Sequence, residues 1–343
     1  MTRRHRAALA LALAALGGAC GDEHGKTPPD APVTPSPDAP VTPLPDAPVG
    51  VVPRAEPTAC RFQVPAGLGL VEGTGYSCGD LYVEENRATH AGVIRVHYIR
   101  IESPAASTNA TIYLDGGPGG NGEGILKYIG FLGQPFLDGL LVDGDFLVIG
   151  QRGTSLSVPY LDCSEPDCAD LAAVAHLPSY NSAYNADDVD DLRAVLGIDK
   201  LNLYGISYGS RLALEVLRRH GSHVRAAVIE GLVPSSVQWQ AAIPASAYSA
   251  VRALDASCAA AGACGTTFGD LVAKFTAGYD ALNAQPVDVD VQGSTIPLDG
   301  YTYAYLMFRV MYSKSSYAYL PLVINDLAVR RTDRIQSYLA AWF

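Results

Sequence analysis

The strongest constraint on the fold is a serine placed between two glycines, where a strand pattern gives way to a helix pattern. Residues 201–212 read LNLYGISYGSRL, so Ser207 lies two residues from Gly205 and two from Gly209. In this context G-x-S-x-G predicts a sharp strand-to-helix turn that presents the serine hydroxyl at the N-terminus of the helix. Ser207 is therefore the candidate nucleophile, and the amide of Tyr208 is a candidate oxyanion donor.

Short apolar runs alternate with helical patterns along the chain, which predicts an α/β sheet flanked by helices. Such runs are typical of strands buried on both faces of a mostly parallel sheet. The predicted strands cover residues 92–102, 110–114, 145–149, 200–204 and 224–229, and the predicted helices cover 185–196 and 210–220. From about Pro234 onward, Ala- and Tyr-rich stretches with one strand pattern at 287–291 predict a helical cap.

Some polar residues in these elements have structural interpretations. Alternation in the first strand places His97 on its polar face, which predicts a surface position. The helix dipole favours the acidic start of helix 185–196, so a solvated helix end is preferred over a calcium site. The acidic residues are Asp187, Asp188, Asp190 and Asp191. His220 and His223 have no carboxylate or cysteine at ligand spacing, and no metal site is predicted.

A glycine-rich segment, DGGPGGNG at residues 115–122, directly follows the strand 110–114. Gly117, Gly119 and Gly122 match G-x-G-x-x-G, so a dinucleotide site is one interpretation. Against it, the run that follows is not a clean helical pattern, and this strand is not the first. In acyl transfer such a loop supplies one oxyanion N–H, and the residue after the nucleophile supplies the other. An oxyanion loop with Gly117 as donor is therefore favoured.

Three motifs occur in an order that is typical of one family. They are Gly116-Gly-Pro-Gly119, Gln151-Arg-Gly153 and Gly205-Ile-Ser-Tyr-Gly209. With them, the chain from about Cys60 onward resembles α/β-hydrolases of the proline iminopeptidase and tripeptidyl aminopeptidase group. The resemblance implies a serine peptidase that releases residues or short peptides from free N-termini without a cofactor. Two residues depart from the pattern: Asp115 stands where His is frequent, and Gly150 stands where Asp is usual.

The resemblance leaves the substrate class open. An esterase with the same machinery is the alternative within enzymes. A peptidase that acts on free N-termini needs an anionic group for the substrate ammonium, and Glu123 and Glu230 are the candidates. Glu230 also follows a strand from which some α/β-hydrolases supply the triad acid, so that role is a second interpretation for it.

The base that would activate Ser207 is expected outside this sequence. The family order is serine, acid, histidine, and the resemblance implies that the last two follow the cap. Only His220 and His223 follow Ser207, at the far end of the next helix. Loss of the histidine costs a comparable serine hydrolase about 10⁶ in turnover, so the chain as written is expected to be nearly inert. It is either a fragment that lacks the last strands, which the intact motifs favour, or an inert surface-binding lipoprotein.

The N-terminus predicts export. A basic segment is followed by a short apolar run at residues 7–16. The end of this run, with the residues after it, reads Leu16-Gly-Gly-Ala-Cys20 and resembles the bacterial lipobox. Residues 1–19 are thus predicted as a signal peptide, with Cys20 lipidated and the protein anchored in the cell envelope. Proline-rich repeats predict an extended tether over 20–53. The core is then expected at 54–233 and the cap at 234–343.

The remaining cysteines indicate the compartment of the protein, and its net charge restricts the classes of partner. Six cysteines remain besides Cys20, and an even number in an exported protein suggests disulfides. Sequence proximity favours Cys60–Cys78, Cys163–Cys168 and Cys258–Cys264, although about 15 connectivities exist for six cysteines. The net charge of −11 argues against a nucleic-acid partner. The expected partners are a peptide or small ester substrate and a membrane, and the sequence does not fix the oligomeric state.

Overall fold

The computed structural model describes residues 51–61, 64–105, 107–154, 156–161, 171–291, 294–331, 334 and 337–338. Within them the chain forms two compact units, one inside Asp30–Val237 and the other inside Gln238–Phe343. The predictions for Cys20, the tether before residue 51 and the Cys163–Cys168 pair lie outside the described residues.

The first unit is built on a seven-stranded sheet with the order β1-β2-β3-β5-β4-β6-β7. Its strands are β1 (Arg54–Thr58), β2 (Tyr76–Asn86), β3 (Ala91–Ile101), β4 (Ala110–Leu114), β5 (Asp145–Ile149), β6 (Leu201–Ile206) and β7 (Val224–Glu230). Strands β5, β4, β6 and β7 pair in parallel, whereas β1, β2 and β3 join through antiparallel pairs. The predicted α/β sheet is confirmed, and β1 and β2 are strands that the sequence patterns did not reveal.

Helices cover both faces of this sheet. They are α1 (Glu123–Leu132), α2 (Gln134–Leu140), α3 (Leu171–Val174), α4 (Ser182–Val195) and α5 (Tyr208–His220). Alternate residues of the parallel strands enter two separate cores, as the two-residue period of a strand requires. Ile112 and Leu203 pack in the core that contains Leu192 of α4, and Tyr113 and Val148 pack in the core that contains Ile129 of α1.

The register of the parallel strands brings three loops to one edge of the sheet. Leu114 at the end of β4 is paired with Ile149 of β5 and with Gly205 of β6. Because the carboxyl ends of parallel strands meet at the same edge, the loops after β4, β5 and β6 are neighbours there. These loops carry the three motifs found in the sequence.

The prediction that His97 is a surface residue is wrong. Strand β3 is an inner strand between β2 and β5, and the His97 side chain is only 4% exposed. Its polar face is occupied because Asp80 lies directly opposite on β2, with its Oδ1 2.9 Å from His97 Nδ1. Arg95 Nη1 lies 3.1 Å from the other oxygen of Asp80. The alternation in β3 therefore reflects a buried polar cluster and not a solvated face.

Two of the suggested disulfides lie among the described residues and are formed. Cys60 and Cys78 join the segment after β1 to β2, and Cys258 and Cys264 join two successive helices of the second unit.

The second unit has a core of its own. It contains α6 (Trp239–Ala260), α7 (Ala263–Phe268), α8 (Leu271–Ala284), α9 (Gly300–Met311), α10 (Leu320–Ala328) and a hairpin of β8 (Val287–Val291) and β9 (Ser294–Leu298). Tyr303, Ile324 and Leu327 are fully buried at its centre. The strand predicted at 287–291 is confirmed, and β9 is its unpredicted partner. Among the described helices, none combines the length and apolar character that crossing a membrane needs.

Candidate active site

Ser207 sits at a strained turn between β6 and α5. Its backbone has φ 54° and ψ −123°, a left-handed φ that residues other than glycine rarely adopt. Such conformations cost about 1–3 kcal/mol each and persist where the surrounding structure enforces them, commonly at functional sites. The turn places Ser207 as the residue that precedes the first turn of α5.

The flanking glycines are required by close backbone contacts. A Cβ at Gly205 would lie 2.4 Å from the carbonyl oxygen of Gly209, and a Cβ at Gly209 would lie 1.8 Å from the carbonyl oxygen of Leu114. Both distances are shorter than any real contact of a Cβ, and backbone cannot move aside cheaply. The glycines of G-x-S-x-G therefore let β6, α5 and the end of β4 approach closely enough to form the turn.

Hydrogen bonds hold the turn from the side of β7. The Ser207 N–H donates to the carbonyl oxygen of Glu230 at 2.9 Å. The buried Ser210 hydroxyl donates to the carbonyl oxygen of Ser207 and accepts from the N–H of Val233 at 2.8 Å. The main chain around Ser207 is thus fixed before any substrate arrives, which is the preorganisation that acyl transfer needs.

The glycine-rich loop after β4 lies against Ser207. A Cβ at Gly116 would be 3.1 Å from Ser207 Cβ and 3.6 Å from Ser207 Oγ. Asp115 closes the loop, because its carboxylate accepts from the N–H groups of Gly116 at 2.7 Å and of Gly122 at 2.8 Å. Tyr113 also donates its hydroxyl to this carboxylate at 3.1 Å. Asp115, one of the two departures from the family pattern, thus shapes the loop.

Gln151 ties the loop after β5 to the glycine-rich loop. Its side-chain oxygen accepts from the Gly119 N–H at 3.0 Å, and its Nε2 donates toward the carbonyl oxygens of Asp115 and Gly116 at 3.3 and 3.4 Å. Gln151 is 4% exposed. The sequence marked Gln151-Arg-Gly153 as a motif but gave it no role, and the structure shows a positioning residue for the loop that faces Ser207.

Arg152 anchors the same loop on the other side. Its buried guanidinium donates to Asp188 on α4, with Nε at 2.6 Å from Oδ2 and Nη2 at 2.7 Å from Oδ1. It also donates to the carbonyl oxygens of Glu84 and Glu85 at the end of β2. Arg87 pairs with Asp188 as well. One carboxylate therefore joins β2, the motif loop and α4.

The interpretation of the aspartates as a solvated helix start is wrong. Helix α4 begins at Ser182, capped by Asn181, whose side chain accepts from the Tyr184 N–H. Its first turn contains no acidic residue, so the dipole does not explain the cluster. Three of the aspartates pair with basic side chains of other segments instead: Asp188 with Arg87 and Arg152, Asp191 with Arg87, and Asp187 with Arg219. Asp190 pairs with Arg193 of its own helix and with His223.

The prediction that His220 and His223 have no carboxylate partners is also wrong. Asp187 Oδ1 lies 2.8 Å from His220 Nε2, and Asp190 Oδ1 lies 2.8 Å from His223 Nδ1. Burial alone would raise the pKa of Asp190, but hydrogen bonds from Arg193 and His223 outweigh it and lower that pKa. The sequence could not show these pairs because the partners come from two different helices.

The candidate oxyanion donors lie at this edge of the sheet. Tyr208 is the first residue of α5, so its N–H has no acceptor within the helix. Gly117, with φ 110°, follows Gly116 in the loop that faces Ser207. The donor roles of both amides stay predictions.

The two glutamates have different outcomes. The Glu123 side chain lies outside the described residues. Glu230 is exposed, and its carboxylate lies near Tyr204. Burial, together with the nearby Glu230 charge, raises the pKa of Tyr204 to about 12. Glu230 therefore fixes the Ser207 backbone through its carbonyl oxygen and carries a negative charge near Tyr204.

The histidines of the described chain lie against other groups. His90 contacts Glu84, His176 contacts Ser179, and His220 ends α5, about 20 Å along the helix from Ser207. His97 lies on β3, three strands from β6, which corresponds to about 14 Å. His97 and His220 are therefore too far from Ser207 to accept its proton.

Known proteins share this arrangement of strand, turn and helix. The alpha/beta hydrolase fold family matches residues 112–287, which is more than half of the chain and includes Ser207. The chain belongs to this family. The predicted α/β-hydrolase fold is thereby confirmed.

Similar proteins include a proline iminopeptidase of Neisseria gonorrhoeae, which is 27% identical over 157 residues. The match covers 44% of this chain and 43% of that protein, so the chain spans less than half the length of this relative. The resemblance to this group of α/β-hydrolases is confirmed. An alpha/beta hydrolase enzyme from a Medee basin deep-sea metagenome library is a solved structure with 13% identity and a TM-score of 0.33, over 71% of this chain and 69% of that one.

Proposed function

We propose that this α/β-hydrolase is a serine aminopeptidase that releases residues or short peptides from free N-termini. The observation that supports it most is Ser207, held at φ 54° at the start of α5 with the glycine-rich loop against its side chain. The similarity to a proline iminopeptidase supports a peptide as the substrate. The exposed carboxylate of Glu230 is a candidate partner for the substrate ammonium.

In the proposed reaction the Ser207 hydroxyl attacks the scissile carbonyl carbon while its proton passes to a base. In this fold the base is a histidine that follows the nucleophile along the chain. The carbonyl oxygen becomes an oxyanion that accepts from the N–H groups of Gly117 and Tyr208. The same proton then goes to the departing amine as the C–N bond breaks. Water hydrolyses the resulting acyl-enzyme and restores the serine.

Substrates with free and blocked N-termini test the peptidase assignment. We expect the full-length protein to hydrolyse aminoacyl arylamides with a free amine about 100-fold more efficiently than the same compounds after N-acetylation, because the acetyl group removes the charge that is recognised. Glu230→Gln should lower kcat/KM for the free amines alone, by about fivefold, since exposed ion pairs are worth up to about 1 kcal/mol. The measurement is kcat/KM for each pair of compounds.

Two outcomes would contradict the assignment. Equal rates on free and acetylated arylamides, together with faster hydrolysis of simple esters, would make the protein an esterase of the same fold. Glu84→Gln is the matched control for Glu230→Gln. Glu84 contacts His90 and lies on β2, near the edge of the sheet opposite to β7, which carries Glu230. An equal effect of both variants would remove Glu230 from the recognition of the amine.

We also propose that the protein is exported and lipid-anchored at Cys20. The support is the signal-like N-terminus and the two disulfides, which suit an oxidising compartment. Cys20→Ser is expected to prevent incorporation of radiolabelled palmitate in a bacterial host and to move the protein from the membrane fraction to the soluble fraction. Cys60→Ser in the same host is the control and should keep the label. Incorporation that survives Cys20→Ser would disprove the anchor.

A further inference from the structure

Two histidines and an aspartate converge where the end of α5 packs beside α4. Asp190, His220 and His223 each offer a ligand atom, and these atoms lie within 4.8 Å of one another. Asp190 Oδ1 is 2.8 Å from His223 Nδ1, and Asp190 Oδ2 is 3.4 Å from His220 Nδ1. The two imidazole rings are nearly parallel, with an interplanar angle of 13°. All three groups therefore lie close enough together for one ion to contact them.

We propose that Asp190, His220 and His223 bind a divalent transition-metal ion, with Zn²⁺ as the ion that best suits the donor set. Two imidazole nitrogens and one carboxylate oxygen are ligands that Zn²⁺ takes in tetrahedral sites with three protein ligands. To bind the ion, His223 Nδ1 would exchange its contact with Asp190 for a metal bond of about 2.0–2.1 Å. Water fills the fourth position.

A second layer of contacts orients His220 for this role. His220 Nε2 lies 2.8 Å from Asp187 Oδ1, and in the neutral ring a proton held there leaves Nδ1, on the side of Asp190, free to bind an ion. Asp187 is itself fixed by Arg219, whose Nε and Nη2 donate to its two oxygens at 2.8 and 2.6 Å. A carboxylate that accepts from the far nitrogen of a histidine is the usual support of a metal-binding imidazole.

The site has an entry path and a competing cation. The side chain of His223 is 42% exposed and that of His220 is 23% exposed, so an ion can reach them from solvent. Arg193 Nε donates to Asp190 Oδ1 at 2.6 Å. Because this guanidinium uses one carboxylate oxygen, it competes with the metal for Asp190, while the other oxygen faces His220.

The position indicates a structural role for the metal. Ser207 caps helix α5, which ends at His220, so the site lies about 20 Å along the helix from the nucleophile. A metal there joins α4 to the C-terminal end of the helix that carries the elbow. It braces the helix pair and takes no part in the bond cleavage.

The test is a Zn²⁺ titration of the full-length protein, prepared without a histidine tag and stripped with a chelator. Calorimetry should show one site, and Co²⁺ in place of Zn²⁺ should give visible absorption bands of a four-coordinate ion. His223→Gln and His220→Gln should each weaken Zn²⁺ binding at least about 100-fold, and Asp187→Asn should weaken it about 10–100-fold. At about 100 times Kd, Zn²⁺ should raise the melting temperature by about 5 °C.

Control variants distinguish a metal site from a cluster that only forms ion pairs. His90→Gln, which removes an exposed histidine paired with Glu84, should leave Zn²⁺ binding unchanged. Arg193→Gln should tighten binding, because it frees an oxygen of Asp190. The proposal is overturned if the parent protein binds no Zn²⁺ at about 0.1 mM, a concentration at which even the weak Ca²⁺ sites of extracellular modules begin to fill, or if His223→Gln binds as tightly as the parent. Circular dichroism of each variant identifies loss of fold.

Discussion

Replacing Ser207 with alanine is expected to abolish covalent labelling of the full-length protein by a fluorophosphonate and to lower peptide turnover by about 10⁶. That loss corresponds to about 8 kcal/mol of barrier. Alanine keeps a Cβ at φ 54°, so the turn and its strain remain while the attacking oxygen is lost. The free energy of unfolding should therefore change by less than about 0.5 kcal/mol. The measurements are gel fluorescence of the labelled protein, kcat/KM and urea denaturation.

Ser222→Ala is the matched control for this variant. Ser222 is exposed in the short turn that follows α5. It therefore lies at the end of the helix opposite to Ser207. Labelling that persists in Ser207→Ala but disappears in another serine variant would assign the nucleophile elsewhere. A parent protein that takes no label although Ser207 is intact would favour the inert binding protein over the peptidase.

The elbow and the strands around it could be predicted from sequence because their causes are local. Gly205 and Gly209 are required because a Cβ at these positions would lie 2.4 and 1.8 Å from backbone oxygens, and such positions leave a signature at fixed spacing. Strands β4, β5 and β6 are buried or partly buried along their whole length and are mainly apolar in sequence. Spacing and hydropathy are properties of one segment, so one segment is enough to show them.

Features that depend on two distant segments could not be predicted. His97 is buried because Asp80 lies opposite on β2, and β2 has too many polar residues to stand out as a strand. Asp188 lies within α4, but its partners Arg87 and Arg152 come from the end of β2 and the loop after β5. Charge alone in a sequence favours a solvated surface, and only the fold shows that these charges are paired inside.

The Arg152–Asp188 pair links this buried network to the candidate active site. Arg152 is adjacent to Gln151, whose side chain holds the glycine-rich loop against Ser207. The guanidinium and carboxylate are 0% and 1% exposed, so each needs the opposite charge of the other to offset its loss of hydration. Removing one member of a buried pair leaves an uncompensated charge, which is the costly outcome, whereas replacing both by apolar groups can be neutral.

Asp188→Asn is therefore expected to lower the free energy of unfolding by about 3–5 kcal/mol, since it leaves Arg152 and Arg87 without their shared carboxylate. Urea denaturation followed by circular dichroism measures the loss. Glu56→Gln is the control: it breaks the exposed Arg54–Glu56 pair, with side chains 24% and 51% exposed, and should cost at most about 1 kcal/mol.

A double variant distinguishes burial of a charge from loss of a contact. Arg152→Met combined with Asp188→Leu should recover part of the stability lost in Asp188→Asn, because it removes the charge that the single variant leaves buried. Peptide turnover should stay low in the double variant if Arg152 positions the Gln151 loop, even where stability returns. If Asp188→Asn lowers the free energy of unfolding no more than Glu56→Gln does, the network does not hold the loop. Gln151 would then be positioned by its own hydrogen bonds alone.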